Sequence, residues 1–253
     1  QLELERVVNY TLQTVCFKFI IPRRCFDTTF TTHQSIKQKN KIRKILKHVT
    51  SQDQPDQRTP EWYQFRYNLI TASNAYKCLM NARESEINSI IYEKCKPLDM
   101  KQTENTSTTY VNTQTAFHHG QKFEPLSVTY YEYMYNTKIG DYGCIAHDKY
   151  KFLGASPDGI NIDETSDLYG RMLEIKNPIS RKITGNPKLE YWVQMQLQME
   201  TCDLNECDFL ETKFEQYSCY NEFCNDGTFN KTTDGKYNGV IFHFNKNNAP
   251  HYE

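Results

Sequence analysis

Ser156-Pro157-Asp158-Gly159, followed by Leu173-Glu174-Ile175-Lys176-Asn177, is the stretch that decides the fold. It places charged residues inside runs that otherwise read as sheet. Glu174 and Lys176 are two residues apart, so they project from one face of a strand, and Leu173 and Ile175 take the other face toward a core. Asp158 ends the preceding strand at a turn that Pro157 and Gly159 would set. The chain from 161 to 170 is polar and turn-like, so 150–160 and 170–177 read as an antiparallel pair. Such a pair can bring the Asp158 carboxylate beside Glu174. Two carboxylates and a backbone carbonyl make a hard oxygen site suited to Mg²⁺ or Mn²⁺. A cation there acidifies a bound water, and a lysine beside it has its pKa pushed down, so it can orient or deprotonate that water. The parts suit phosphodiester hydrolysis. The bland alternative is an exposed Glu–Lys pair on an edge strand and an unrelated Asp turn.

Outward from this centre, short β-like runs at 145–147, 152–155 and 172–176 precede a helix that Asn186-Pro187 opens and that runs to about Cys202. A strand at 209–214 follows, then a polar excursion over 215–236 with two Asp-Gly steps, then a last strand at 240–244. Strands alternating with helices give an α/β core with a mixed sheet. On the 186–202 helix, Tyr191, Gln194 and Gln198 share one face. That stripe can reach a metal-bound water, a nucleobase, or only solvent.

Upstream, residues 121–136 read as an aromatic helix with Pro125 near its first turn. Glu124 then lies in the first turn, where it either complements the helix dipole or adds a third carboxylate to the metal site. Helices are expected from about Pro60, over 71–82 and over 84–95. Arg66 and Ser73 bracket the start of the second of these. Amides, a hydroxyl and a guanidinium there make an anion pocket; Ser73 as a plain N-cap competes with it. A Pro-containing linker at 51–60 separates a helical, basic segment, 1–55, from a domain over 56–253. Within that segment, residues 1–21 suggest a helix. Lys37, Lys39, Lys41, Arg43, Lys44 and Lys47 crowd a second helix with no acidic residue. It suits the DNA backbone, against the commoner reading of a solvated face.

Over its 253 residues the chain is 38% hydrophobic and 24% charged, which excludes a disordered chain. A net charge of −1 excludes a globally cationic coat but not a local basic groove. No apolar run reaches the length of a membrane span. The first residue is Gln1, which suggests a piece of a longer product. Nine cysteines form no paired secreted framework, and a reducing, intracellular compartment fits better. Cys202, Cys207, Cys219 and Cys224 have a loose spacing for structural zinc, with free thiols the commoner outcome.

In order, the motifs W-x3-R-x3-ITAS, G-x3-E-P, G-A-SPDG, LEIKNP and Y-x2-Q-x-Q occur between residues 60 and 214. Together they resemble the lambda-type exonucleases, the YqaJ-like viral recombinase nucleases of the PD-(D/E)xK superfamily, a circle that includes viral alkaline exonucleases. The resemblance implies a restriction-endonuclease-like α/β core, a mixed central sheet flanked by helices. It implies that Asp158, Glu174 and the Ile175 carbonyl hold Mg²⁺, with Mn²⁺ able to substitute. Lys176 would serve the attacking water, Glu124 would be the additional acid, directly or through water, and Gln194 the active-site glutamine. Arg66 and Ser73 would receive a DNA 5′-phosphate, making digestion 5′ to 3′. The implied partner is double-stranded DNA with a 5′-phosphorylated end, in viral recombination or genome processing in the host cytoplasm or nucleus. A single-strand annealing protein and a homo-oligomer are compatible partners. Asn177 stands where many relatives have Cys, at a non-ligand position expected to matter little. An endonuclease acting on DNA or RNA, and a non-catalytic nucleic-acid-binding module, are the alternatives.

Overall fold

A computed structural model describes residues 34–55, 59–79, 81–97, 113, 115–246 and 249–253. The helix expected over 1–21 lies outside them, as do Cys16 and Cys25 and most of the polar stretch over 98–116. The chain divides into two compact units. The first comprises Gln1–Asn105, Asn136–Glu174 and Asn186–Phe209; the second comprises Thr106–Tyr135, Ile175–Gly185 and Leu210–Glu253.

The first unit starts, among its described residues, with α1 (Ile36–Ser51). Ser35 caps it: Gln38 N–H donates to Ser35 Oγ at 3.2 Å, and the Gln38 side-chain oxygen accepts from Ser35 N–H at 2.8 Å. These two reciprocal bonds satisfy two of the donors a helix start leaves over. In α2 (Pro60–Tyr67), Pro60 occupies the first turn and Thr59 Oγ1 accepts from Trp62 N–H. A two-residue strand β1 (Ile70–Thr71) leads into α3 (Ala72–Ala75), which tightens into a 3₁₀ turn at Tyr76–Cys78. The helix expected over 71–82 is therefore only one turn long. Its backbone becomes extended at Leu79, whose side chain is buried with Ala72 and Ala75. The next helix, α4 (Glu84–Cys95), has the expected bounds.

After α5 (Ala116–Tyr135), which belongs to the second unit, come β2 (Ile139–Gly140), β3 (Ile145–Ala146), β4 (Leu153–Ala155), β5 (Gly159–Asn161) and β6 (Met172–Lys176). The run 150–160 is two strands in different sheets. β4 pairs with β1 in parallel and with β3 antiparallel, whereas β5 pairs antiparallel with β2 and with β6. Pro157, which lacks an amide donor, divides them. Helix α6 (Leu189–Cys202) begins after Lys188, not at Asn186-Pro187. Lys188 keeps extended backbone, and its carbonyl accepts from Tyr191 and Trp192. α6 leads to β7 (Cys207–Glu211), which completes the four-stranded order β2-β5-β6-β7. Met172 N–H donates to Glu206 O and Thr212 N–H to Lys176 O, so β6 and β7 run parallel, joined by the α6 crossover. The mixed α/β class expected from the sequence is the class observed.

Two cores flank α6. Met199 and Cys202 pack with Leu46, Val49, Ile145, Ile160, Tyr169, Met172 and Leu204. Val193 and Leu197 pack with Ala72, Ala75, Leu79, Leu153 and Ala155. The β5–β6 hairpin is thus clamped through Ile160 and Met172, both fully buried. Among the described residues, no helix is long and apolar enough to cross a membrane.

In the second unit, α5 starts five residues earlier than expected, because Thr115 Oγ1 accepts from His118 N–H and caps it. Pro125 therefore lies in the helix interior. Glu124 is two turns beyond the start, too far in for the dipole to account for it. Phe123 stacks on Phe214 with centroids 4.7 Å apart. The chain continues through α7 (Tyr220–Asn225), inside the excursion read as a loop, to a terminal hairpin of β8 (His243–Lys246) and β9 (Ala249–Tyr252). The last strand expected at 240–244 thus starts at His243. The His118 ring hydrogen-bonds the Tyr252 hydroxyl, holding β9 against α5.

Gly170 joins α1 to the turn between β5 and β6. It has φ +80°, and a Cβ there would stand 2.4 Å from Ile42 Cγ2. Gly170→Ala is expected to destabilise the protein by about 1–3 kcal/mol, read as a lower urea midpoint at unchanged denaturant slope.

Candidate active site

The site is built on the hairpin. Gly159 faces Leu173 and Ile160 faces Met172. One further step along this antiparallel ladder sets Asp158 beside Glu174. Gly159 has to be glycine, since a Cβ would fall 2.2 Å from Ile139 Cγ2 on the neighbouring strand. Glu174 is fully buried and Asp158 half-buried. A buried carboxyl group is costly unless its oxygens are engaged. Gln198, itself fully buried on α6, donates from Nε2 to Glu174 Oε2 at 2.7 Å and reaches Ser156 O at 3.3 Å. The same amide thus bridges the β6 carboxylate and the turn that carries Asp158. Gln198 Oε1 is buried with no hydrogen-bond partner among the described residues.

This is one turn beyond the glutamine singled out in the sequence. Gln194 lies on the same helix face but is half-buried, whereas Gln198 is the one bonded to Glu174. Three- and four-residue spacing puts both on one stripe; only the depth of the packed helix end separates them.

Arg66 also converges on the turn. Its Nη1 donates to Ser156 Oγ at 3.3 Å, its guanidinium lies 4.6 Å from the Trp62 ring centroid, and its carbonyl accepts from Lys94 Nζ. A cation stacked on indole and tethered two residues before Asp158 is preorganised for an anion. Ser73 is the second residue of the one-turn α3, exposed, with Oγ 3.1 Å from Thr71 Oγ1. Thr71, not Ser73, occupies the N-cap position.

Cys207, at the start of β7, is a neighbour of this centre that its sequence context does not signal. Burial pushes its thiol well up, and the carboxylates of Glu174, Asp208 and Asp158 push it further. Burial alone raises the Cys202 thiol to about 12. Among the described residues, no three His, Cys, Asp or Glu side chains stand together as metal ligands. The two-carboxylate set is a different matter. Two hard oxygen donors on adjacent strands and the unbonded, buried Gln198 Oε1 suit a hydrated Mg²⁺ or Mn²⁺.

β6 runs on into the second unit with Ile175, which is buried, and Lys176, which is half-buried. In that unit Asn177 is a junction. Its Oδ1 accepts from Ser127 Oγ at 2.8 Å and from Thr212 Oγ1 at 2.6 Å, and its Nδ2 donates to Gly120 O at 3.2 Å. Gly120, Glu124 and Ser127 are spaced four and three apart on α5 and share one face. Asn177, expected to matter little, therefore ties the end of β6 to the α5 face that carries Glu124.

Residues 61–205, more than half of the chain, match the YqaJ-like viral recombinase domain. The chain belongs to the YqaJ-like viral recombinase domain family. The uncharacterized protein R354 of Acanthamoeba polyphaga mimivirus is 38% identical to this chain over 121 residues, 43% of this chain and 22% of that protein. The chain thus spans about a fifth of the length of that viral relative. Two solved structures are similar. An alkaline exonuclease, LHK-Exo, from Laribacter hongkongensis is 28% identical, with a TM-score of 0.45, covering 61% of this chain and 74% of that one. The same protein in complex with dAMP is 27% identical, with a TM-score of 0.44, covering 60% and 73%. The matched residues of the YqaJ-like domain include Arg66, Ser73, Glu124, Asp158, Glu174, Lys176, Gln194 and Gln198, and leave out α1 and everything beyond Asn205.

Gln198→Ala removes the donor from a buried carboxyl group and is expected to cost about 1–3 kcal/mol of stability. Gln194→Ala is expected to stay within about 0.5 kcal/mol of wild type. Chemical denaturation of the two variants side by side checks the contrast.

Proposed function

We propose that this YqaJ-like domain is a divalent-metal-dependent 5′→3′ exonuclease of double-stranded DNA, acting in viral recombination or genome processing. The observation that carries the reading is the carboxylate pair, Asp158 and Glu174, set side by side by the β5–β6 register, with the second held by Gln198. Asp158, Glu174 and the Ile175 carbonyl would hold the cation, Mg²⁺ with Mn²⁺ as substitute. When bound, the metal acidifies a water and neutralises charge developing on the phosphate. Lys176 projects from the same strand face as Glu174 and orients the water or takes its proton. Gln198 fixes the Glu174 carboxylate by one oxygen and leaves its own carbonyl oxygen as an acceptor for a water. Glu124 acts as an additional acid, and Asn177 holds the helix face that bears it. Gln194, a turn earlier on the stripe, is available to the substrate strand.

Arg66 is read as the end sensor. A terminal phosphate monoester carries more negative charge than an internal diester, and a stacked, tethered guanidinium favours the more charged group. Ser73 and Thr71 add hydroxyl donors at the neighbouring turn. A 5′-phosphorylated duplex end is therefore the proposed substrate. The LHK-Exo neighbour is named an alkaline exonuclease and was solved with dAMP, which is consistent with this reading but does not carry it.

Two outcomes test it. Asp158→Ala and Glu174→Ala are expected to abolish digestion of linear duplex in Mg²⁺ while leaving duplex binding largely intact. Lys176→Ala should lower the rate about 10²–10⁴-fold without loss of metal affinity. Retained digestion in either carboxylate variant would sink the metal-site assignment.

Arg66→Ala should erase the preference for 5′-phosphorylated over 5′-hydroxyl ends, measured on linear substrates that differ only there. Closed circular duplex should resist the wild type. Equal digestion of both ends by wild type, or cleavage of the circle, would instead favour an endonuclease.

A further inference from the structure

Helix α1 lies outside the residues matched to the YqaJ-like domain, and its lysine and arginine cations do two different jobs. Lys39 Nζ donates to Glu164 O at 2.7 Å, and Arg43 grips the Glu164 carboxylate with both arms at 2.7 and 2.6 Å. His48 pairs with Asp148 at 2.8 Å. Gln34, just before the helix, donates to Tyr169 O. Leu46 and Val49 are buried in the core with Ile160 and Met172, and Ile42 and Ile45 pack against it. The contacts to Glu164, Tyr169, Ile160 and Met172 seat α1 on the β5–β6 hairpin, and His48 ties it to the β3–β4 connection.

Lys37, Lys41, Lys44 and Lys47 are the remainder. All four are exposed, and none makes an ion pair or hydrogen bond among the described residues. Their spacing of four, three and three places them along the side of α1 opposite Leu46 and Val49. They span about 15 Å of helix. No acidic residue lies anywhere in α1 to offset them, although the whole chain is close to neutral.

We propose that this lysine stripe is a second DNA contact, a sequence-independent grip on the phosphate backbone of the duplex outside the cleavage centre. The proposal rests on the nuclease reading for its choice of polyanion. Charge complementarity supports it, since a linear array of uncompensated cations matches a linear array of phosphates. An anionic membrane fits less well. The apolar side of α1 is already spent in the protein core, so the helix has no free apolar face to bury among lipids.

The test uses the full chain with Lys37, Lys41, Lys44 and Lys47 all changed to Gln. Binding to a 30-base-pair duplex is followed by fluorescence anisotropy in metal-free buffer from 50 to 200 mM salt. The slope of log K against log salt is expected to fall by about 0.9 for each phosphate that is no longer neutralised, with at least a tenfold weakening at 100 mM salt. Digestion at saturating DNA should keep its maximal rate, because these lysines are not part of the catalytic machinery. The four-fold Lys→Arg variant should keep the wild-type slope. If the Gln variant has a lowered urea midpoint, the double variant Lys37→Gln, Lys47→Gln is to show about half the fall in slope instead. An unchanged slope and affinity in a folded variant overturns the proposal, as does wild-type binding to phosphatidylserine vesicles that the substitutions abolish while DNA binding persists. Because binding is read without metal, the two ideas separate. A wild type that binds with the lysine-dependent slope but never cleaves refutes the nuclease reading alone. One that cleaves but shows no lysine dependence refutes the stripe alone.

Discussion

Glu174 is shut off from solvent, and the bond from Gln198 Nε2 to its Oε2 is the constraint from which the rest of the site follows. A carboxyl group placed mid-strand between two apolar residues would weaken a sheet that only had to fold. It is tolerated because the crossover helix α6 returns over the hairpin and delivers an amide at the required depth. The same amide reaches Ser156 O, so the position of the turn before Asp158 is linked to the side chain of Glu174. Arg66 binds the hydroxyl of that same serine from α2. Three elements distant in sequence thus meet on a four-residue turn.

Two structural tasks compete along that turn. The backbone must leave one sheet and enter another, and it must present Asp158 in register with Glu174. Pro157 accomplishes the first by ending the hydrogen-bonding run. Gly159 permits the second by letting β2 approach within a distance no side chain could fill. The half-buried Cys207 at the start of β7 adds an uncharged neighbour to the two carboxylates, since desolvation and those carboxylates both push its thiol well up.

Much of this centre is legible in the sequence because strand periodicity is strict. The alternation Leu173-Glu174-Ile175-Lys176 assigns faces without reference to anything else, and β6 has the bounds the sequence suggests. Helix periodicity is more permissive. It puts Gln194 and Gln198 on one stripe, and only the packing of the C-terminal half of α6 into both cores distinguishes them. The early start of α5 is hidden because Thr115 caps it from the edge of a polar stretch that reads as loop. Asn177 is easily passed over because it is no metal ligand. Its importance lies in hydrogen bonds to Ser127, Thr212 and a backbone carbonyl, partners that no local pattern announces.

Helix α1 and the hairpin depend on one another. Gly170, at φ +80°, has no Cβ to keep Ile42 from settling against the turn between β5 and β6, and Glu164 in that turn holds Arg43 and Lys39. Leu46 and Val49 share a core with Ile160 and Met172, the residues that set the hairpin register. Full burial of two such side chains is worth about 1.5–3 kcal/mol each. A helix outside the family-matched residues therefore supports the strand pairing that aligns Asp158 with Glu174. Force applied to its lysines by a bound polyanion would be borne by that hairpin rather than by a flexible tether, which makes α1 a stiff place from which to hold a duplex.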